Sequence, residues 1–273
     1  MPLSAFLLAL GAAFVHALWN LLIARARDPE AATAVALLTA VVVFAPVVAL
    51  RWELEPEAWP YVAASSALEL VYFALLGAAY RRAELSVVYP LARGGAPVLV
   101  LVVGALALGA ETTAGQALGV CLVGVGVLLV RGLRRPAGST GIFFGLAIAC
   151  SIAAYTLVDD EGIQYANAIT YLELVLVAPA IGYALGVAGL KGRSALRSEL
   201  KPATVMAGLG MLAAYGLVLA ALARAEAAPV AAVRETSVVI ATVGAALFLH
   251  ERVGPSRLAG AVLVAVGVAL LGF

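Results

Sequence analysis

Five ionised side chains lie inside segments that are otherwise apolar enough to cross a membrane. They are Arg93, Arg234, Glu69, Glu173 and Glu235. A charge at the centre of a membrane-spanning helix costs at least about 2.5 to 3.5 kcal/mol, so such residues pair with one another or line a hydrated cavity. Arginine can hold a carboxylate or phosphonate, and glutamate can bind an ammonium group or exchange a proton. These residue types favour a substrate-binding and proton-coupling centre; an internal salt-bridge network that only joins helices is the alternative.

Polar and aromatic side chains at a similar predicted depth extend this candidate site. His16 and Asn20 share one face of the first predicted helix, and Glu69 and Tyr72 share one face of the third. The predicted substrate-binding residues are Trp19, Asn20, Tyr72, Tyr89, Arg93, Tyr155 and Arg234. The predicted proton-coupling or charge-pairing residues are His16, Glu69, Glu173 and Glu235. Aromatic rings can cage an ammonium group by cation–π attraction; each ring taken singly is also consistent with packing, and His16 with a neutral core histidine.

Arg93 lies between Pro90 and Pro97 and beside Gly94 and Gly95, in the segment VYPLARGGAPVLVLV. Proline removes a backbone donor and glycine weakens a helix. Broken backbone at membrane depth is tolerated only where protein or cavity water satisfies it. We therefore predict a kink in the fourth helix, where freed backbone groups help Arg93 to hold an anion. A kink that only shapes the packing is the alternative.

The composition places these residues in a membrane. Hydrophobic residues make up 64% of the 273 residues and charged residues only 12%, whereas an ordinary soluble domain has about 25% charged residues. Because a span needs roughly 20 apolar residues, hydropathy predicts an all-α polytopic membrane protein with ten transmembrane helices. Their approximate bounds are 3–24, 31–50, 58–80, 85–109, 113–130, 139–158, 165–189, 202–223, 227–249 and 255–273. The first segment lacks a basic start and a cleavage site, so we interpret it as a retained span.

A pattern in the fourth and fifth predicted helices recurs in the ninth and tenth. In each copy a proline and an arginine are followed by a glutamate at the helix end, Glu111 or Glu251. The final helices of the two copies align Gly119 and Gly126 with Gly260 and Gly267. The chain therefore contains two copies of one plan.

Five helices per copy is an odd number, so the two copies must enter the membrane from opposite sides. We predict an inverted repeat around a central cavity, with residues 1–136 and 137–273 as the two halves of one integral membrane domain. This architecture is typical of secondary transporters, whose binding sites lie near the midplane at the repeat interface.

The basic residues of the loops are distributed unevenly. The odd-numbered loops hold thirteen lysines and arginines and the even-numbered loops hold two. The positive-inside rule then places the odd-numbered loops in the cytoplasm and both termini outside, in a bacterial inner membrane. The acidic clusters at 53–57 and 159–161 are expected to face outward as solvated loops.

Several segments resemble the drug/metabolite transporter superfamily, specifically its ten-helix EamA-type members. They are HALWN in the first helix, the proline-bearing fourth and ninth helices, and the endings GAETTAGQALGVCLVGVGVLL and LHERVGPSRLAGAVLVAVGVALL. The resemblance covers the whole chain. It implies a basket-like bundle in which helices one, three, four, six, eight and nine surround a central cavity, with helices five and ten at the back. It also implies export or uptake of small metabolites, often coupled to protons.

We predict a secondary transporter that works by alternating access on a zwitterionic solute such as an amino acid or aminophosphonate, because the spans contain charges of both signs. The alternative is a flippase of a lipid-linked sugar, which requires a lateral opening with basic residues at head-group level. No nucleophile or metal-ligand spacing indicates an enzyme, a metal or a cofactor. The expected partners are a small-molecule substrate and the lipid bilayer, without nucleic acid, and the chain is expected to work as a monomer or homodimer.

Overall fold

A computed structural model describes residues 1–83, 85–131, 138–240 and 254–272. Ten helices of the described chain lie in the bundle, and a short one, α8, lies in a loop. Their bounds are α1 Leu3–Ala24, α2 Pro29–Leu50, α3 Trp59–Arg82, α4 Leu85–Ala107, α5 Ala114–Arg131, α6 Ser139–Gly162, α7 Ala168–Lys191, α8 Arg193–Ser198, α9 Pro202–Leu222, α10 Ala227–Arg234 and α11 Pro255–Gly272. Residues 236–240 are helical again after α10.

Seven of these helices are long and apolar enough to cross a membrane, namely α1, α2, α3, α4, α6, α7 and α9. The helices α5 and α11 are apolar and somewhat shorter, with 18 residues each. The ninth predicted span is described as far as residue 240. Glu251 and three of the thirteen loop cations, Arg134, Arg135 and Arg252, lie outside the described residues. The predicted all-α polytopic membrane fold is confirmed.

Side-chain caps define the starts of the second helix in each repeat. Asp28 precedes α2 and accepts a hydrogen bond from the backbone N–H of Ala31 at 3.2 Å. Asn167 precedes α7 and accepts one from the N–H of Thr170 at 2.9 Å. Each cap satisfies one of the backbone donors that a helix leaves unpaired at its start. These two residues therefore occupy equivalent places in the two repeats.

The contact between α5 and α11 has the symmetry of an inverted repeat. A Cβ atom built on Gly119 would lie 2.9 Å from the carbonyl oxygen of Gly267, and one built on Gly260 would lie 2.6 Å from that of Gly126. Such distances exclude any side chain, so the two backbones meet directly. Because the sequence repeat equates Gly119 with Gly260 and Gly126 with Gly267, exchanging the two halves converts one contact into the other. A twofold axis between the halves requires this result.

The other helix contacts follow the same exchange of halves. The first helix of each half packs against the third helix of the other, in the pairs α1–α9 and α6–α3. The second helices also pack across the repeat, in the pairs α2–α9 and α7–α3, and α2 contacts α7 directly. The N-terminal amine of Met1 donates to the carbonyl of Leu271 at 3.4 Å, so both termini lie at one end of the bundle.

The fourth helix is continuous, whereas its repeat partner is interrupted. The helix α4 continues from Leu85 to Ala107, whereas the α-helical backbone stops after Arg234 and resumes at residue 236. Gly94 has a packing role: a Cβ atom there would lie 2.8 Å from the carbonyl oxygen of Gly124 in α5. The helix is therefore not broken beside Arg93, as the freed backbone groups would require, and Gly94 instead serves a close contact between helices; the kink itself stays a prediction.

Candidate functional site

A cavity of about 80 Å³ lies between the two repeats. Helices α1, α3, α4, α6, α9 and α10 contribute most of its wall, and α2 and α7 contribute one apolar residue each. The helices α5 and α11 contribute none of the lining residues in the described part of the chain. Seven of the predicted site residues line this cavity: His16, Trp19, Glu69, Tyr72, Arg93, Tyr155 and Arg234. Their roles in binding remain predictions.

Two arginines and one glutamate form what we call the arginine cluster, Arg93, Arg234 and Glu235. The Nε atom of Arg93 lies 2.9 Å from Oε2 of Glu235, and its Nη2 atom donates to Ser237 Oγ at 3.3 Å. The Nε atom of Arg234 lies 4.0 Å from Oε1 of the same glutamate. Glu235 is 1% exposed and lies behind the arginines, not on the cavity wall. Two positive charges and one negative charge leave the cluster with a net charge of +1.

Arg234 has unused donors. Its Nε and Nη2 atoms are buried and have no hydrogen-bond partner among the residues that the structure describes. Buried polar groups nearly always have a partner, and a charged group without one is especially costly. Since Arg234 lines the cavity, a bound anionic group can accept hydrogen bonds from these donors.

Two carboxylates, Glu69 and Asp159, form what we call the carboxylate cluster. Asp159 is 1% exposed and accepts hydrogen bonds from Ser65 Oγ at 2.6 Å and from the hydroxyl groups of Tyr171, at 3.1 Å, and Tyr215. Glu69 and Tyr215 both line the cavity, and their side chains interact with each other. The positive charge of Arg234 acts on both carboxylates. Hydroxyl groups supply the hydrogen bonds here, so the cluster can attract a cation or hold a proton.

The place of Asp159 corrects the sequence analysis, which assigned it to a solvated outer loop. The helix α6 continues to Gly162, about one turn beyond the predicted end. Asp159 is therefore helical and follows Tyr155 by four residues, which places both on one face of α6. That spacing was present in the sequence, but the adjacent acidic residues Asp160 and Glu161 concealed it.

Aromatic side chains line the same cavity as the two clusters. The rings of Tyr72 and Tyr155 meet edge to face with centroids 6.1 Å apart, and those of His16 and Trp19 do so at 4.8 Å. The indole Nε1 of Trp19 is buried without a hydrogen-bond partner in the described part of the chain. The wall therefore offers aromatic faces together with one further donor.

Three other predicted residues do not line the cavity. Asn20 donates from Nδ2 to the backbone carbonyl of His16 at 2.9 Å, within its own helix. Tyr89 is half-buried against the core. Glu173 is buried, and its Oε2 atom has no hydrogen-bond partner within the described ranges. Tyr89 and Glu173 were included for their depth alone, and although Asn20 shares a helix face with His16, its amide bonds to the backbone of its own helix and is not among the cavity-lining groups.

A second cavity, which we call the lateral groove, lies between α3 and α7. Its volume is about 190 Å³. Arg81, Lys191 and Glu30 line one end, and apolar residues and glycines line the remainder. Phe73 lines both the lateral groove and the central cavity. The ring of Phe73 lies 5.5 Å from that of Tyr183, so two aromatic side chains stand between the groove and the cavity.

In the described ranges, no group of three or more His, Cys, Asp and Glu side chains is placed to hold a metal ion.

A family model matches most of the chain. The model of the EamA-like transporter family matches residues 3–132 and 139–273. The chain belongs to the EamA-like transporter family.

Other comparisons support the fold of this EamA-like transporter. One solved structure, described only as a crystal structure of protein, aligns with a TM-score of 0.81 at 17% sequence identity. The alignment covers 99% of this chain and 96% of that one. At this identity the likeness shows the fold alone. No curated protein shows significant similarity to the chain.

Membership of the family assigns the chain to the drug/metabolite transporters and makes it a multi-pass membrane protein. The described helices α1, α3, α4, α6, α9 and α10 surround the cavity of this EamA-like transporter, as the resemblance implied.

Proposed function

We propose that the chain is a secondary transporter that moves a small zwitterionic metabolite, such as an amino acid or aminophosphonate, across the bacterial inner membrane by alternating access. Its two repeats would rock around the central cavity, with both termini outside. The arginine cluster would hold the anionic group of the solute. The carboxylate cluster would bind its ammonium group or exchange a proton with it.

The observation that carries this proposal is the pair of unpartnered donors on Arg234 in a cavity that Glu69 also lines. An anion at Arg234 would fill the unused hydrogen-bonding capacity of a buried guanidinium. An ammonium group at Glu69 would lie beside Asp159, where two carboxylates meet hydroxyl partners. A solute with a single charge would be complementary to only one of the two clusters.

Proton coupling is a further part of the proposal. A carboxylate that carries a proton on one side of the membrane and releases it on the other needs a site that is closed to lipid and open to the cavity. Glu69 lines the cavity and is 5% exposed, and Asp159 lies behind it. Coupling is tested by whether an imposed pH gradient drives solute uptake into liposomes.

Transport of matched solutes tests the charge requirement. The purified protein in liposomes is supplied with radiolabelled 2-aminoethylphosphonate, ethanolamine or ethylphosphonate, which share a two-carbon skeleton and differ in their charged groups. We expect uptake of the zwitterion to exceed that of either singly charged analogue by at least about tenfold, because each charge-assisted hydrogen bond contributes roughly 1.5–3 kcal/mol. Equal uptake of all three, or uptake of none of them and of no amino acid, would overturn the proposed substrate class.

A matched pair of variants tests the residue assignment. Arg234→Gln removes the guanidinium whose Nε and Nη2 donors have no hydrogen-bond partner in the described part of the chain, and it is expected to lower zwitterion uptake roughly 10- to 100-fold. Arg224→Gln changes an exposed arginine at the end of α9 and is expected to leave uptake unchanged. Arg93→Ala is a poorer probe, because it removes the nearer of the two arginines that face the buried carboxylate of Glu235, and removing one member of a buried ion pair is strongly destabilising. Equal losses in Arg234→Gln and Arg224→Gln would reject the assignment.

The lateral groove favours a second candidate function, translocation of an amphipathic lipid. The groove lies between α3 and α7 and has Arg81 and Lys191 at one end, as a lipid-linked substrate would require. Movement of a fluorescent lipid between leaflets separates the two functions. Lipid movement without solute uptake would favour a flippase, whereas solute uptake without lipid movement supports the transporter.

A further inference from the structure

The lateral groove has a length that suits one leaflet of a bilayer. It extends along α3 from Leu70 to Arg81, which are eleven residues apart and therefore about 16 Å apart at 1.5 Å per residue. The hydrocarbon layer is about 30 Å thick, so one leaflet accounts for about 15 Å. The groove therefore covers the depth of a single acyl chain.

Glycines leave room for a chain in part of the groove. A Cβ atom added at Gly186 would meet no heavy atom within 4 Å and one at Gly77 would meet none closer than 3.5 Å, whereas the side chain of Leu70 already packs against Gly182. The rim is apolar and accessible from the lipid side: Leu70 is 37% exposed and Leu190 is 70% exposed. An apolar chain can thus enter laterally from the membrane.

The polar end of the groove is suited to an anionic head group. Arg81 uses Nη1 to bind Glu30 at 2.9 Å, and its side chain is 46% exposed. A guanidinium has five N–H donors, so most of those on Arg81 remain available to a phosphate. Arg82 beside it is exposed as well. This end of the bundle carries the loops rich in lysine and arginine, which the charge distribution assigns to the anionic cytoplasmic leaflet.

The other end of the groove reaches the central cavity. Phe73 is 7% exposed, lines both spaces and contacts Tyr183 across the groove. We propose that the lateral groove is a binding site for an anionic phospholipid, with its phosphate at Arg81 and one acyl chain extending to Phe73. The lipid would pack against one face of the Phe73 ring, whose other face forms part of the wall of the central cavity. The site exists independently of which solute the cavity carries.

Tryptophan quenching by brominated lipid tests the site directly. Phe73→Trp is made in a background in which Trp19, Trp52 and Trp59 are changed to Phe, and the protein is reconstituted in mixed phosphatidylglycerol and phosphatidylcholine. The same mole fraction of brominated acyl chains is placed on one lipid or on the other. We expect at least twofold stronger quenching when phosphatidylglycerol carries the bromine, because the groove selects the anionic lipid. Equal quenching by both lipids would overturn head-group selection.

Two glycine variants on α7 control for quenching by bulk lipid. Gly186→Phe fills the groove, whereas Gly189→Phe places the same ring one turn away, outside the groove lining. A Cβ atom at either position meets no heavy atom within 4 Å, so both variants are expected to fold. We expect Gly186→Phe to abolish the excess quenching by phosphatidylglycerol and Gly189→Phe to preserve it. The same response in both variants would reject the groove as the site.

Native mass spectrometry of the unmodified chain gives a second measurement that does not require tryptophan at position 73. Protein released from mixed-lipid nanodiscs should retain phosphatidylglycerol in preference to phosphatidylcholine. Arg81→Gln should lower that preference at least threefold, whereas Arg224→Gln at the opposite end should not. Retention without head-group preference, or an equal effect of both substitutions, would contradict the proposal.

Discussion

At one end of the α2–α7 pair, Asp28 caps α2 and accepts hydrogen bonds from Lys191, the last residue of α7, at 2.7 and 2.9 Å. At the other end, Asn167 caps α7 and donates from Nδ2 to the carbonyl of Arg51, the residue after α2, at 2.8 Å. We call these the Lys191 end and the Asn167 end. They are equivalent places in the two repeats and lie on opposite sides of the membrane.

The forces at the two ends differ. At the Lys191 end, Lys191 also pairs with Glu30 at 2.5 Å, and Glu30 pairs with Arg81. Asp28 is linked in turn to Glu199 of the loop that follows α8, through its backbone N–H at 3.2 Å. A network of charges across three helices and a loop therefore closes this end.

Backbone hydrogen bonds connect the two loops at the Asn167 end. The N–H of Glu55 donates to the carbonyl of Tyr165 at 2.8 Å, and the N–H of Asn167 donates to that of Glu53 at 3.2 Å. The rings of Tyr61 and Tyr165 stack with centroids 5.7 Å apart. The proposed alternating access requires both ends to open in turn, and this comparison predicts that substitutions of the charged residues in the α2–α7 contact matter at the Lys191 end more than at the Asn167 end.

The largest expected effect is that of Lys191→Met. Lys191 forms ion pairs with two carboxylates, and its side chain is 31% exposed. The loss of unfolding free energy should therefore fall between that for a surface pair and that for a buried pair, at about 2 kcal/mol. Thermal unfolding in nanodiscs measures the loss. The control is Arg193→Met, which changes an exposed cation two residues later. Equal losses in the two variants would show that the network at the Lys191 end contributes nothing specific.

Asn167→Ala should have a smaller effect at the opposite end. It removes a helix cap and a hydrogen bond between loops, at a cost of about 1 kcal/mol. Asn167→Ser keeps an oxygen that can cap α7 but cannot reproduce the donation to Arg51, so we expect it to recover about half of the stability in the same unfolding assay. If Asn167→Ala lost more stability than Lys191→Met, the Asn167 end would be the more strongly stabilised of the two, contrary to this account.

Raising the ionic strength should act mainly through the Lys191 end. Between 0.1 and 1 M salt the screening length falls from about 10 Å to about 3 Å. We expect the stability difference between the unmodified chain and Lys191→Met to shrink as salt increases, by roughly 0.5 kcal/mol because the pairs are partly buried. The difference between the unmodified chain and Asn167→Ala should stay constant. If salt changed the two stability differences by the same amount, the proposed distinction between the two ends would be wrong.

The smallest expected effect is the change that acidification makes in the contribution of Asp28 at the Lys191 end. Partial burial raises the pKa of Asp28, but hydrogen bonds from Lys191 and from the backbone of Ala31 outweigh it, so the pKa lies below its ordinary value. A carboxyl whose pKa is lowered by folding contributes stability above its unfolded pKa, and that contribution is lost as the pH falls through the folded value. Asp28→Asn should therefore be less stable than the unmodified chain at pH 7 and equally stable near pH 2. A difference that persists at low pH would assign the effect to another group.

The sequence predicted the membrane fold because its signals are local or repeated. The hydropathy of the first span gave both ends of α1 correctly, at Leu3 and Ala24. The repeat was recognisable because Gly119 and Gly126 recur at the same spacing as Gly260 and Gly267. Charges inside apolar helices, such as Arg93 and Arg234, stand out against their neighbours, and the structure places both on the cavity wall.

The remaining features depend on residues far apart in the chain. Gly94 could be interpreted as a helix breaker until α5 was placed against it. Glu30 and Lys191 are 161 residues apart and each resembles an ordinary charge at a helix end, so their pairing has no signal in one sequence. Asp159 is an intermediate case: its spacing from Tyr155 indicated a shared face, but its position near the predicted end of a span suggested solvent.

Cysteine labelling from the two sides of the membrane tests most directly the claim that one cavity opens alternately at two ends. Ala214 lines the cavity and is 3% exposed, so Ala214→Cys, with Cys121 and Cys150 changed to Ser, reports access to it. We predict that a membrane-impermeant maleimide reaches this residue from either side in oriented vesicles. Lys191→Met should speed labelling up to roughly 30-fold from the Lys191 side only, as expected for about 2 kcal/mol. Labelling from one side alone, in both the unmodified and the Lys191→Met backgrounds, would contradict the account.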